Sequence, residues 1–152
     1  MCFKLKYEFL LLIIAAVLCL TLIFVMQLNY QTLIFGDSNS YILAAKELYL
    51  QGKLNDHRPL IISIINGFPL LFGFDEKNLF NWSLFVNIFC WICTILTLYK
   101  IGLLYLNKRT SFFLALCFIC CFGNFFIIFH LLSETIFVFF LTFSIYLIRL
   151  LS

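Results

Sequence analysis

The stretch FLLLIIAAVLCLTLIFVMQLNYQTLIFG, Phe9–Gly36, holds 28 residues and no charge. A helix that crosses a bilayer needs about 20 consecutive apolar residues, within a range of roughly 17–25. The most apolar part, Phe9–Met26, is 18 residues long and is preceded by Lys4 and Lys6. A secretory signal begins in the same way, but its apolar core is only about 7–15 residues and ends in a small-x-small cleavage site. No such site follows Met26, and Cys19 lies among leucines, which argues against a lipoprotein signal. The segment reads as a retained signal-anchor helix.

The same pattern recurs outward from it. Charge-free runs cover Pro59–Phe74, Asn78–Tyr99, Thr110–Ser133 and Thr135–Ile148. The 152 residues are 64% hydrophobic and carry 10 basic and 7 acidic side chains. That is far below the roughly one charge in four of a soluble domain, and a soluble fold of this size cannot hide so much apolar surface. Soluble enzyme, nucleic-acid binder and disordered tail are excluded together, which leaves a membrane protein with the lipid bilayer as its solvent. The net charge of +3 comes from short loops without a basic block, so no nucleic-acid partner is expected.

Seven cysteines raise the question of disulfides or zinc. Cys19, Cys90, Cys93, Cys117, Cys120 and Cys121 sit inside apolar runs, where a thiol behaves as a small hydrophobe. Cys90-Trp91-Ile92-Cys93 has C-x-x-C spacing but neither a strand–helix context nor a second polar pair around it.

The fold class expected is all-α: one polytopic membrane domain over residues 1–152 with four spanning helices, at about 9–28, 81–103, 111–129 and 135–151. Lys4, Lys6, Lys100, Lys108, Arg109 and Arg149 fall in short segments on one side of this arrangement, which the positive-inside rule makes cytoplasmic. Both termini are then cytoplasmic and a long first loop, about 29–80, is external. Two interfacial helices are expected in that loop. Ser38–Gln51 places Tyr41, Ala44, Ala45 and Leu48 on one stripe, with Asp37 or Ser38 as cap and Gly52 as terminator. The run from Pro59 to Gly73 is interrupted by Gly67 and Pro69, which favours a helix in the outer interface over a span.

In so apolar a chain, ionisable groups near membrane depth carry the information. Asp37 suits a helix N-cap, and equally a carboxylate that takes a proton from an incoming hydroxyl. Asp56-His57-Arg58-Pro59 puts His57 and Arg58 at the start of the second interfacial segment. There they either touch lipid headgroups or recognise one particular phosphate, a task suited to the guanidinium fork. Glu134, in Leu132-Ser133-Glu134, has a structural reading at a helix N-terminus, but an acid at that depth is costly unless it faces a polar cavity. The topology puts Asp37, His57, Arg58 and Glu134 on the external side, where two acids and a basic pair can share one site.

The order of these motifs resembles a known family. A first spanning helix leads to Gly36-Asp37-Ser38-Asn39-Ser40-Tyr41, then Gly52-Lys53-Leu54, His57-Arg58-Pro59-Leu60, Leu71-Phe72-Gly73 and Leu132-Ser133-Glu134. This is similar to the N-terminal part of GT-C membrane glycosyltransferases, above all to bacterial relatives of the dolichyl-phosphate-mannose protein mannosyltransferases and the lipid A aminoarabinose transferases. The resemblance implies a polyprenyl-phosphate sugar donor, an acceptor that no motif names, and a site on the outer face of a bacterial inner membrane. It implies Asp37 as catalytic base with Glu134 as a second catalytic acid. Tyr41, His57 and Arg58 become substrate-binding residues near the donor phosphate. The family's polar pair is often acidic–basic, so His57 departs from it, and a divalent metal is neither required nor ruled out. One proline stands where many relatives have two.

Members of the class usually have eight or more spanning helices, which makes this chain the expected front part of a larger enzyme. The competing reading is a small non-enzymatic four-helix protein, such as a carrier or flippase subunit for polyprenol-linked sugars. Such proteins usually have short loops, and the long loop at 29–80 weighs against it.

Overall fold

Asp75 begins the longest element of the chain. Its side chain accepts the Asn78 N–H at 2.9 Å, satisfying one of the amides that a helix start leaves without a partner, and the helix then runs for 30 residues, Glu76–Tyr105. The computed structural model describes residues 2–25, 37–121, 123 and 133–151, and every regular element among them is helical. In chain order these are α1 (Cys2–Val25), α2 (Asp37–Gln51), α3 (Leu60–Gly67) continued by a 3-10 turn (Phe68–Phe72), α4 (Glu76–Tyr105), α5 (Lys108–Cys120) and α6 (Glu134–Leu151).

The long helix α4 is the hub, packing against α1, α3, α5 and α6. It ends where Leu106 turns extended and its N–H reaches Gly102 O at 2.7 Å. Asn107 at once caps α5 by accepting the Thr110 N–H at 3.0 Å. So short a link forces α4 and α5 antiparallel. Gly102 is needed at their crossing, because a Cβ there would stand 2.9 Å from the Ser111 Cβ. The core behind this hairpin joins Leu11, Ala15 and Cys19 of α1 to Trp91, Ile95 and Tyr99 of α4 and to Ala115 and Ile119 of α5. Small residues at the crossings let backbones approach closely, which is how helices associate when lipid is as apolar as their own side chains.

Among the described residues, two helices are long and apolar enough to cross a membrane, at Lys77–Tyr105 and Glu134–Leu151. Their environments differ: 39% of the apolar window of α4 is buried in the protein against 11% for α6. Helix α6 is therefore peripheral, presenting Phe137, Phe140, Ile148 and Leu151 outward.

Several expected boundaries need correction. The first helix begins at Cys2, not residue 9, because the lysines before the apolar run are good helix formers. Residues 26–28 of that expected span lie outside the described residues. The second starts at Glu76 rather than 81, set by the Asp75 cap. Of the third, expected over 111–129, the structure describes α5 as far as Cys120, where Cys121 turns extended, and a helical Gly123. Residues 124–129 again lie outside the described residues.

The loop elements follow their sequence closely. In α2, Tyr41, Ala44 and Ala45 are buried and Leu48 is half-buried. The helix ends at Gly52, whose φ of +66° is open to glycine at little cost. The run after Pro59 is a helix as far as Gly67, and Pro69 lies at the start of the 3-10 turn that follows.

Candidate functional site

Four side chains from three separate parts of the sequence meet where α2, α3 and α6 come together. Tyr41 projects from the buried stripe of α2 and is only 6% exposed. Its hydroxyl lies 2.9 Å from Ser133 Oγ, immediately before α6. The Arg58 guanidinium sits over the Tyr41 ring with Cζ 4.6 Å from the centroid, a cation–π contact that strengthens away from water. Ser133 Oγ in turn donates to Glu134 Oε2 over a long 3.4 Å. An ionised carboxylate only accepts, so the protons run from Tyr41 to Ser133 and from Ser133 to Glu134. Beneath them Tyr41, Ile62, Cys90 and Ile136 form an apolar floor.

Two hollows flank the Arg58–Pro59 junction. One, of about 290 Å³, lies between α3 and α6 and is lined by Pro59, Ile61, Ile62, Phe137 and Phe140, with Ser133 and Glu134 at its polar end. The other, of about 180 Å³, lies against α2 and combines Ala44, Leu48 and Leu54 with Asp56, Arg58 and Ser63. The first has the form an amphiphile requires, apolar walls leading to a carboxylate. The second sets opposite charges in a small recess.

Among the residues expected at the site, Tyr41, Arg58 and Glu134 are brought together. His57 is not. Its backbone N–H is held by Asn55 Oδ1 at 3.1 Å, while its side chain is exposed and lines neither hollow. Asp37 is the first residue of α2, one turn before Tyr41, and its side chain lies outside the described residues. No group of three or more His, Cys, Asp or Glu side chains suited to a metal forms among the described residues.

Two contributors escape a reading of the sequence. Ser133 looks like an ordinary cap residue, and nothing local announces that it meets Tyr41. Asn55 fixes the turn before Arg58 by donating to Glu47 Oε2 at 2.8 Å while accepting from His57. Its only signal is an amide beside an Asp in a loop, a combination that favours local backbone hydrogen bonds.

Tyr41→Phe removes the hydroxyl that ties α2 to the start of α6. The expected loss is about 0.6–1.5 kcal/mol of unfolding free energy, measured by denaturant titration in detergent. An unchanged midpoint would show that the bond adds nothing to stability.

Compared with protein-family models, curated proteins and solved structures, the chain has no match. The described residues define an all-helical protein with two helices among them able to cross a membrane by length and composition, and a polar site built where α2 and α3 meet the start of α6.

Proposed function

We propose that the chain carries the donor-side part of a membrane glycosyltransferase, one that moves a sugar from a polyprenyl-phosphate donor to an acceptor on the outer face of a bacterial inner membrane. The observation that carries this reading is the convergence of Arg58, Tyr41, Ser133 and Glu134 between two hollows, an apolar one with Ser133 and Glu134 at its polar end and a charged one that Arg58 lines. In this reading the four spans expected from the sequence cross the bilayer, among them α1, α4 and α6, and α2 and α3 lie in the outer interface.

Helix lengths support that placement. At 1.5 Å per residue the 18 residues of α6 span about 27 Å, close to the hydrocarbon thickness of about 30 Å, while the 30 residues of α4 span about 45 Å. Ile136, near the start of α6, packs in one cluster with Cys90, midway along α4. The first half of α4 thus extends past the start of α6, and α2 and α3 pack around it. Trp82 lies on this half, its ring 5.8 Å from that of Phe68, an aromatic grouping that suits the headgroup level. The cluster then sits at the outer edge of the hydrocarbon.

The chemistry follows from the side chains. The isoprenoid chain lies along Ile61, Phe137 and Phe140, and the donor phosphate turns toward Arg58. As the anomeric bond breaks, charge grows on the departing phosphate and an oxocarbenium-like sugar forms. A guanidinium neutralises the first through paired hydrogen bonds, and a carboxylate removes the proton of the acceptor hydroxyl. Asp37 is assigned as that base, and Glu134, oriented by Ser133, as the second acid.

The test is transfer from a labelled polyprenyl-phosphate sugar by protein expressed from its complete reading frame. Asp37→Asn is expected to lower turnover by about 10²–10⁴-fold. Undiminished transfer removes Asp37 from the mechanism, and absence of transfer by the unaltered protein removes the enzyme reading.

A further inference from the structure

The opposite end of the molecule carries a feature that takes no part in sugar transfer. There the start of α1, the end of α4, the start of α5 and the end of α6 meet. Glu8 Oε1 lies 3.8 Å from Lys100 Nζ, the Tyr7 and Phe112 rings are 5.4 Å apart, and Arg149 stands 6.0 Å over the Tyr105 ring. Between α1 and α5 is an open hollow of about 520 Å³ lined by Tyr7, Asn107, Lys108 and Arg109.

The cations at this end are not equivalent. Lys100 is offset by Glu8, whereas among the described residues neither Lys108 nor Arg109 has a carboxylate partner. The walls below the hollow are apolar and open. Phe113, four residues after Arg109, and Leu10, three residues after Tyr7, lie on the same helix faces as those lining residues and are 60% and 40% exposed. A soluble anion would use only the two cations. A ligand with an anionic head and an apolar body uses the cations and both apolar side chains.

We propose that this hollow binds the phosphodiester of an anionic phospholipid in the cytoplasmic leaflet. Lys108 supplies a point charge and Arg109 a paired hydrogen-bond fork to the phosphate oxygens. The Tyr7 ring lies at the headgroup level, as amphipathic aromatics do, and the acyl chains run along Leu10 and Phe113. This site stands independently of the glycosyltransferase reading, requiring only that the helices sit in a bilayer with this basic end on the cytoplasmic side.

The experiment reconstitutes the complete protein in phosphatidylcholine vesicles doped with photoreactive phosphatidylglycerol or, in a parallel arm, photoreactive phosphatidylcholine. Phosphatidylglycerol is expected to label α1 and α5 preferentially. Lys108→Gln and Arg109→Gln should each reduce that preference about five-fold, the effect of one cation near a charged leaflet, while Arg109→Lys keeps most of it. Lys6→Gln removes an exposed cation of the same end that does not line the hollow and should leave the preference unchanged. Equal labelling by the two lipids overturns the proposal. So does an equal loss with Lys6→Gln, which would signify diffuse surface charge, or abolition of labelling by aqueous inorganic phosphate, which would signify a free-anion site.

Discussion

Arg58→Ala is expected to lower sugar transfer by about 10²–10³-fold, the cost of deleting one preorganised group that stabilises charge developing in a transition state. Its position makes the loss selective for turnover. The guanidinium is held over the Tyr41 ring, 4.6 Å from its centroid, by a ring that is itself buried and tied to Ser133. A cation fixed before the reaction needs no reorganisation as the phosphate departs. The donor phosphate carries charge in the ground state too, so some of the loss will fall on KM, but the increment that grows as the bond breaks falls on kcat. Arg58→Lys restores the charge without the planar fork or the stacking on Tyr41, and should recover only part of the rate. Steady-state kinetics with a labelled donor separate the two terms. A rise in KM at constant kcat would mean that Arg58 only binds substrate and does not assist its leaving group.

Much of this arrangement is legible in the chain itself. The stripe of Tyr41, Ala44 and Ala45 marks the buried face of α2, and Gly52 marks its end because a left-handed residue there is a local requirement. Pro69 marks the switch from α-helix to 3-10 turn, because it brings no N–H to continue the α-helical ladder. Each of these signals depends on backbone preferences acting over a few residues. Apolar runs are poorer guides to helix ends. A run measures where charges stop, whereas α1 and α4 begin in polar sequence under the control of propensity and capping, and α5 ends inside an apolar run.

The site divides along the same line. Arg58 and Glu134 stand out as charges in an apolar setting, but the contact that unites them spans 92 residues from Tyr41 to Ser133. It depends on how α2 and α6 lean on α4, which no local pattern encodes. His57 illustrates the converse. It is adjacent to Arg58 in sequence, yet its side chain is exposed and lines neither hollow, while Arg58 lies over Tyr41.

The position of Arg58 rests on the seating of α3, and Gly67 is where that seating is most exposed to change. Gly67 is buried at the end of α3, and a Cβ there would collide with the Tyr49 ring and stand 3.3 Å from the Ala45 Cβ. Its backbone is ordinary helix, with φ −82° and ψ −9°, so substitution brings no dihedral penalty. Helix propensity even favours a side chain, by about 0.8–1.0 kcal/mol for alanine over glycine. Steric conflict outweighs that gain. The Tyr49 hydroxyl donates to Ile64 O at 2.9 Å, so displacing the ring also breaks a bond between α2 and α3. Gly67→Val combines overpacking of about 1–3 kcal/mol with a lost hydrogen bond of about 1 kcal/mol, and its net effect is expected near 3 kcal/mol of destabilisation. Because Trp82 Nε1 donates to Ile65 O at 2.8 Å, α3 is also held to α4, and strain at Gly67 is transmitted to the Arg58–Pro59 end as a tilt rather than a detachment. Unfolding free energies measured with Tyr49→Ala as the second mutation form a cycle that isolates the clash. The valine should cost at least 1.5 kcal/mol less once the ring is gone. An identical cost in both backgrounds would place the strain elsewhere and leave α3 seated by Trp82 alone.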